Sequence, residues 1–164
     1  MAECKTKRRM GVGGLVLSAA AIASIAGYEG YKSRAYVPVP GDVVTIGHGT
    51  TRYENGQPVK HGDTVTPERA MLLLKHDASL FERAVKRCAP VPMHQHEYDA
   101  FVSLTYNIGE GAFCQSTAAK KLRAGDYSGA CREILRWDKF KGVPLRGLTI
   151  RRQAEYQQCI GGAK

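Results

Sequence analysis

The chain has 164 residues, 43% of them hydrophobic and 24% charged, which sets it among ordinary globular proteins with enough length for one domain and a real core. A formal net charge of +9 calls for an anionic partner: nucleic acid, a phospholipid surface or an acidic cell-wall polymer. The cations are spread along the chain rather than gathered in a stripe with interleaved aromatics, which argues against nucleic acid. The five cysteines, Cys4, Cys88, Cys114, Cys131 and Cys159, form no CxxC or Cys/His cluster of zinc spacing, so neither a metal nor a cofactor is expected. The last four make an even set, which fits two disulfides in an oxidising compartment or, equally, buried free thiols.

The N-terminus carries Lys5, Lys7, Arg8 and Arg9 against a single acid, Glu3, and is followed by an uncharged run from Met10 to Gly27. That is the layout of an export signal, and the run is about long enough to approach a bilayer span. Its quality is poor, because only six of its 18 residues are Val, Leu or Ile while five are Ala and four Gly, so its residence in lipid is expected to be marginal. Three readings stand: a signal peptide cleaved after Ser24-Ile25-Ala26, an uncleaved weak anchor able to escape, or an Ala-rich helix of a soluble protein. The domain reading is therefore residues 1–27 as the basic, weakly apolar segment and residues 28–164 as the folded body.

Residues 36–62 are rich in Pro, Gly, Thr and Val, with turn signals at Pro40-Gly41 and Asn55-Gly56, and predict a small β-hairpin region. Thr66-Pro67-Glu68 then reads as an N-cap, a first-turn proline and an acid suited to the helix dipole. Ala70, Leu73, Leu74, Phe81, Ala84 and Val85 continue at helical spacing to about Arg87, before Pro90 and Pro92. A second apolar helix is expected over 94–108, from Tyr98, Phe101, Val102 and Thr105 at i, i+3, i+4 and i+7. Shorter helices are expected near 116–124, 127–137 and 148–159. The fold class is α+β and mostly helical, with a small β element ahead of a helical body.

Glu29 stands directly behind the apolar run, and Asp42 and Thr45 lie in the one stretch dense in polar candidates and turn formers. Hydrolysis of a glycosidic bond needs one carboxylic acid to protonate the leaving oxygen and a second group to steady charge or water. Taken alone, a glutamate at a helix end is more often a solvated side chain than a catalyst. His94 and His96 with Glu97 suggest a metal at first sight, but H-x-H at helical spacing points the two rings to different faces, which favours a surface or capping role. His48 sits in the β region beside the candidates. Trp137 with residues 147–155 reads as core packing, and Arg146, Arg151 and Arg152 read either as contacts to an anionic polymer or, by default, as a solvated basic face.

The collinear pieces EGYKSRAY from Glu29, TIGHGTT from Thr45, YNIGEGAF over Tyr106–Phe113, RW at Arg136-Trp137 and GLTIRRQAE over Gly147–Glu155 resemble phage-type lysozymes, the endolysins of double-stranded-DNA phages of Gram-negative hosts. The basic N-terminus and Gly/Ala-rich run resemble the signal-anchor-release element of a subset of them. The resemblance covers about residues 27–160. It implies a lysozyme-like fold with a small N-terminal β-lobe and a larger helical lobe. It also implies a muramidase in which Glu29 is the acid, and it places the family's threonine at Thr45. The family's aspartate nine residues after the glutamate has no counterpart, since Pro38 stands there; Asp42 is the nearby carboxylate able to substitute.

From that resemblance and the helical layout, Cys88 is expected to pair with Cys114 and Cys131 with Cys159, out of three possible pairings of four cysteines. Cys4 is left over. The expected partner is peptidoglycan, with transient contact to the inner membrane through residues 10–27, periplasmic action as a monomer, and chemistry withheld until the N-terminal segment leaves the bilayer. The competing readings are a lytic transglycosylase, which needs one acid only, and an exported basic protein that binds cell wall without cutting it.

Overall fold

The computed structural model describes residues 8–162; Cys4 and its expected role lie outside them. The described chain is α+β and mostly helical, and it divides into two compact units. One is Ala19–Leu80; the other joins the N-terminal residues up to Ser18 with the chain from Phe81 onward.

The first unit opens with α1 (Ala19–Glu29) and continues into β1 (Lys32–Tyr36), which pairs antiparallel with β2 (Thr45–Gly47) in the register Lys32 to Gly47 and Tyr36 to Thr45, with an irregularity between. The strand pair starts earlier in the chain than the turn signals alone suggest and is shorter than the expected hairpin region. The loop after β2 instead folds back through isolated bridges, Ile46 with Thr50, Arg52 with Pro58 and Arg34 with Thr64. Register here comes from pairings between residues distant in sequence, which local turn chemistry does not encode.

The long helix α2 (Pro67–Cys88) starts as its sequence predicts: the Thr66 hydroxyl accepts from the Arg69 amide at 3.2 Å, Pro67 takes the first turn and Glu68 faces the positive end of the dipole. Its stripe of Ala70, Leu73, Leu74, Ala78, Ala84 and Val85 is buried, and Lys86 and Arg87 suit its final turn.

In the second unit, α3 (Gln95–Ile108) is buried through nine successive residues, Glu97 to Thr105, so it is a central helix rather than a surface one. Gly109, at φ 89° and ψ 155°, ends α3 and begins α4 (Glu110–Gln115), a conformation that an L side chain rarely adopts. The helix α4 is an addition to the sequence reading, because its Glu-Gly-Ala start has weak helical character. Three more helices follow: α5 (Thr117–Arg123), capped by the Ser116 hydroxyl; α6 (Tyr127–Ile134), capped by Asp126; and α7 (Arg146–Cys159), with the short hairpin β3 (Lys139–Phe140) and β4 (Val143–Pro144) lying between α6 and α7. Packing of α7 on α3 and of α5 on α6 builds this core, with Tyr98, Phe101, Leu104, Phe113, Leu122 and Ile134 fully buried. Disulfides join Cys88 to Cys114 and Cys131 to Cys159, the pairs expected.

The Met10–Gly27 run is not one helix. Residues 12–14 form a single 3₁₀ turn, the chain extends through Leu15, and helix begins only at Ala19. No helix among the described residues is long and apolar enough to cross a membrane. Residues 9–18 instead lie along the second unit. Arg9 reaches Glu97 through three hydrogen bonds of 2.7 to 3.2 Å and stacks over the Tyr127 ring at 3.6 Å. Met10 pairs backbone to backbone with Met93, the Leu17 amide donates to Glu82, and the Ser18 amide and hydroxyl donate to Asp99. Val12, Leu15 and Leu17 are buried here against protein, while Met10 and Val16 of the same run stay exposed.

Candidate functional site

Glu29 is the last residue of α1 and is half-buried. The helix stops there because Gly30 turns to φ 70° while its amide still donates to Ala26 at 3.0 Å. Two residues on, β1 begins, and its pairing with β2 returns the chain to this point: Lys32 faces Gly47, and the next residue, His48, directs Nδ1 at the carbonyl oxygen of Gly30. The His48 ring, 7% exposed, also lies 5.8 Å from the Tyr31 ring, and the Tyr31 hydroxyl donates to the Val65 carbonyl. The helix end that carries Glu29 is thereby clasped to the strand that carries Thr45.

Thr45 opens β2 opposite Tyr36, is 5% exposed, and donates its hydroxyl proton to the Val43 carbonyl at 3.1 Å. Donation in that direction leaves the lone pairs of Oγ1 to receive a proton from a neighbour such as water. Asp42 differs from it. It is exposed, its amide closes a turn onto Val39, and its Oδ1 accepts the Val43 amide at 2.8 Å. Glu29, Asp42 and Thr45 thus all belong to the first unit, with Thr45 and Asp42 both tied to Val43. Gly47 permits the close fit: a Cβ there would sit 3.0 Å from that of Ala70, at φ 64°.

Behind this turn stands Asp77, which sequence reasoning passed over. It accepts the Thr50 hydroxyl at 2.6 Å, and Thr50 in turn bonds Ile46 through both backbone groups. Burial pushes the Asp77 carboxyl above its ordinary range, against the pull of the Thr50 hydrogen bond. The signal was present, since Asp77 falls on the stripe of Ala70, Leu73 and Leu74, where a carboxylate is out of place. Farther along the loop, Tyr53 donates to Asp63 at 2.8 Å, and Arg69 grips Glu54 through paired bonds of 2.8 and 2.6 Å.

Several other expectations change. His94 and His96 stack, rings 5.2 Å apart and 20° from parallel, rather than facing apart. His94 is the N-cap of α3 and has not yet entered the helical period, so the rule for two helical residues does not hold for it. The capping role fits, with the Glu97 carboxylate accepting the His94 amide at 2.8 Å. Among the described residues no group of His, Cys, Asp and Glu is arranged to hold a metal.

Arg151 and Arg152 are not a solvated face: they are 5% and 0% exposed and converge on buried Glu155, which also accepts the Ser103 hydroxyl at 2.7 Å. Arg152 further holds Asn107 of the Tyr106–Phe113 motif at 3.1 Å. Only Arg146 is exposed. Trp137 is half-buried rather than core, and with Glu133, Arg136 and Gln115–Thr117 it lines a cavity of about 410 Å³ within the second unit.

The family model for phage lysozymes matches residues 26–155. An endolysin of Acyrthosiphon pisum secondary endosymbiont phage 1 is 42% identical over 132 residues, covering 78% of this chain and 86% of that protein. A SAR-endolysin of Enterobacteria phage P21 is 31% identical over 156 residues, covering 93% and 92%. Among solved structures, an endolysin from Escherichia coli O157:H7 phage FAHEc1 superposes with a TM-score of 0.82 at 37% identity, over 92% of this chain and 97% of that one.

Proposed function

This chain belongs to the phage lysozyme family, and on that footing we propose that it is an endolysin that hydrolyses the glycan strand of peptidoglycan as a muramidase. The observation that carries the reading is the clasp of His48 onto Gly30, which holds the end of α1, and with it Glu29, beside the strand of Thr45. Glu29 is the general acid: it delivers a proton to the glycosidic oxygen as the bond to the anomeric carbon breaks. Thr45 positions the water that attacks the opposite face of the sugar. The Asp42 carboxylate takes its proton as the new bond to the anomeric carbon forms, which inverts that centre. Thr45 suits this task because its hydroxyl proton is already given to Val43. No metal or cofactor enters the mechanism.

Glu29→Gln should lower the clearing of purified peptidoglycan by about 10²-fold or more, and activity surviving that change would sink the assignment. Mass analysis of the released muropeptides checks the bond chemistry: reducing ends mean hydrolysis. Anhydro ends would mean transglycosylation, the second reading, which Pro38 in the place of the family's aspartate keeps in view.

Control is proposed to reside in residues 1–27, with residues 28–164 as the catalytic body. A SAR-endolysin relative spans nearly the whole chain, and the Met10–Gly27 run is uncharged yet poor in large apolar residues. While residues 10–27 lie in the host inner membrane, Leu17 and Ser18 cannot reach Glu82 and Asp99, and α1 cannot present Glu29 as it does here. On escape to the periplasm as a monomer, the segment gains those hydrogen bonds and the burial of Val12, Leu15 and Leu17.

A further inference from the structure

Nine successive residues, 139–147, are exposed, an unusual run for a stretch that includes two paired strands and the start of a helix. In this hairpin Phe140 faces Val143 across the ladder, which puts their side chains on one face, and Leu145 follows Val143 on that same face at the strand period of two. The three are 58%, 61% and 43% exposed. The run carries Lys139, Lys141 and Arg146 and no acid. Lys141 and Gly142 form the two-residue turn, both at positive φ (50° and 81°), and the Lys141 ammonium lies 5.5 Å from the Phe140 ring centroid. A turn of this hand is ordinarily made with Asn, Asp or Gly; here the strained position at the tip holds a cation beside an aromatic ring. An isolated two-stranded hairpin gains little stability from its own cross-strand pairs, so exposed apolar side chains on it are not explained by folding.

We propose that this hairpin is a lipid-contact surface: Phe140, Val143 and Leu145 enter the interface of an anionic phospholipid bilayer while Lys139, Lys141 and Arg146 meet its phosphates. Three cations without a compensating acid match a negatively charged headgroup layer. An aromatic and two aliphatic side chains match the boundary beneath it, where rings and long cationic side chains are both at home. The inference rests on the exported location proposed above and adds to it a contact made by the folded, released enzyme, separate from residues 10–27.

Trp137, the only tryptophan, stands two residues before the hairpin and serves as its reporter. The full chain should bind vesicles containing phosphatidylglycerol over vesicles of phosphatidylcholine alone, with Trp137 fluorescence quenched by lipids brominated near the headgroup. Phe140→Ser with Val143→Ser should lower that partitioning about tenfold or more. Lys139→Gln with Lys141→Gln should remove most of the anionic preference, about fivefold for each cation. Both double variants should clear membrane-free peptidoglycan like the parent, and Glu29→Gln should bind vesicles like the parent. That last arm separates failure of the lipid surface from failure of the catalytic assignment. Undiminished vesicle binding by the hairpin variants would overturn the proposal. So would unchanged vesicle binding joined to a loss on membrane-free peptidoglycan, which would make the hairpin a substrate contact.

Discussion

His48 Nδ1 hydrogen-bonds the carbonyl oxygen of Gly30, joining the residue after β2 to the residue after Glu29. A helix end and a strand are thus fixed to each other by one buried ring. His48→Ala should lower kcat about 10- to 100-fold by loosening the placement of Glu29 relative to Thr45. KM should change little, because the ring is placed to orient rather than to bind. His48→Asn, which can still donate to a carbonyl, should recover part of the loss, and steady-state kinetics on soluble peptidoglycan fragments would show it. Equal kcat in parent and His48→Ala would reduce the clasp to packing.

Asp77 predicts a pH dependence. Burial raises its folded-state pKa above the ordinary 3.8, so the native carboxyl keeps its proton to higher pH than the unfolded one. Its contribution to stability is therefore full below that ordinary value and is lost as pH rises through the raised one. Asn neither titrates nor loses the acceptor for Thr50. The stability of Asp77→Asn relative to the parent should accordingly increase between about pH 3 and pH 7. Urea unfolding at the two pH values measures this, and a relative stability that falls would show the Thr50 hydrogen bond outweighing burial.

The Arg151, Arg152 and Glu155 cluster is buried, so removing one member leaves buried charge without its partner. Glu155→Gln should cost about 3–5 kcal/mol in denaturant unfolding with the disulfides intact. Pairing it with Arg152→Met should return part of that loss, because the second change removes an uncompensated guanidinium. A loss under about 1 kcal/mol would mean that the cluster behaves like a surface ion pair.

Gly11, Gly13 and Gly14 test release control. Each is exposed, none has positive φ, and a Cβ at any of them would meet nothing within 4 Å. Leucine at these sites should leave the folded enzyme intact while making the Met10–Gly27 run a better bilayer segment. The triple variant should remain in the membrane fraction and delay lysis, yet should match the parent on peptidoglycan once extracted. Unchanged lysis timing would count against the switch.

Much of the helical body was legible. Thr66-Pro67-Glu68 marked the start of α2, and the stripe from Ala70 to Val85 marked its buried face, because capping and helical period are local properties of the chain. The cysteine pairs and the order of the motifs were legible through resemblance. The roles of Arg151 and Arg152 were not, since a buried arginine and an exposed one look alike until Glu155 and Ser103 are placed beside them. Trp137 likewise read as core, and it is the neighbours at Gln115–Thr117 that leave it lining a cavity.

By itself the sequence determined that Glu29 follows a weakly apolar, glycine-rich run, that the family's second carboxylate is missing at Pro38, and that helices would occupy most of the chain. Composition and local spacing suffice for the first and the last of these; the second is what the resemblance to phage-type lysozymes implies. Only the tertiary structure decided that the run breaks at Ser18, that residues 9–18 settle on Glu82, Glu97 and Asp99, and that His48 ties Gly30 to the strand of Thr45. Those are hydrogen bonds between residues 18 to 88 positions apart, whose desolvated partners exist only once the chain has folded.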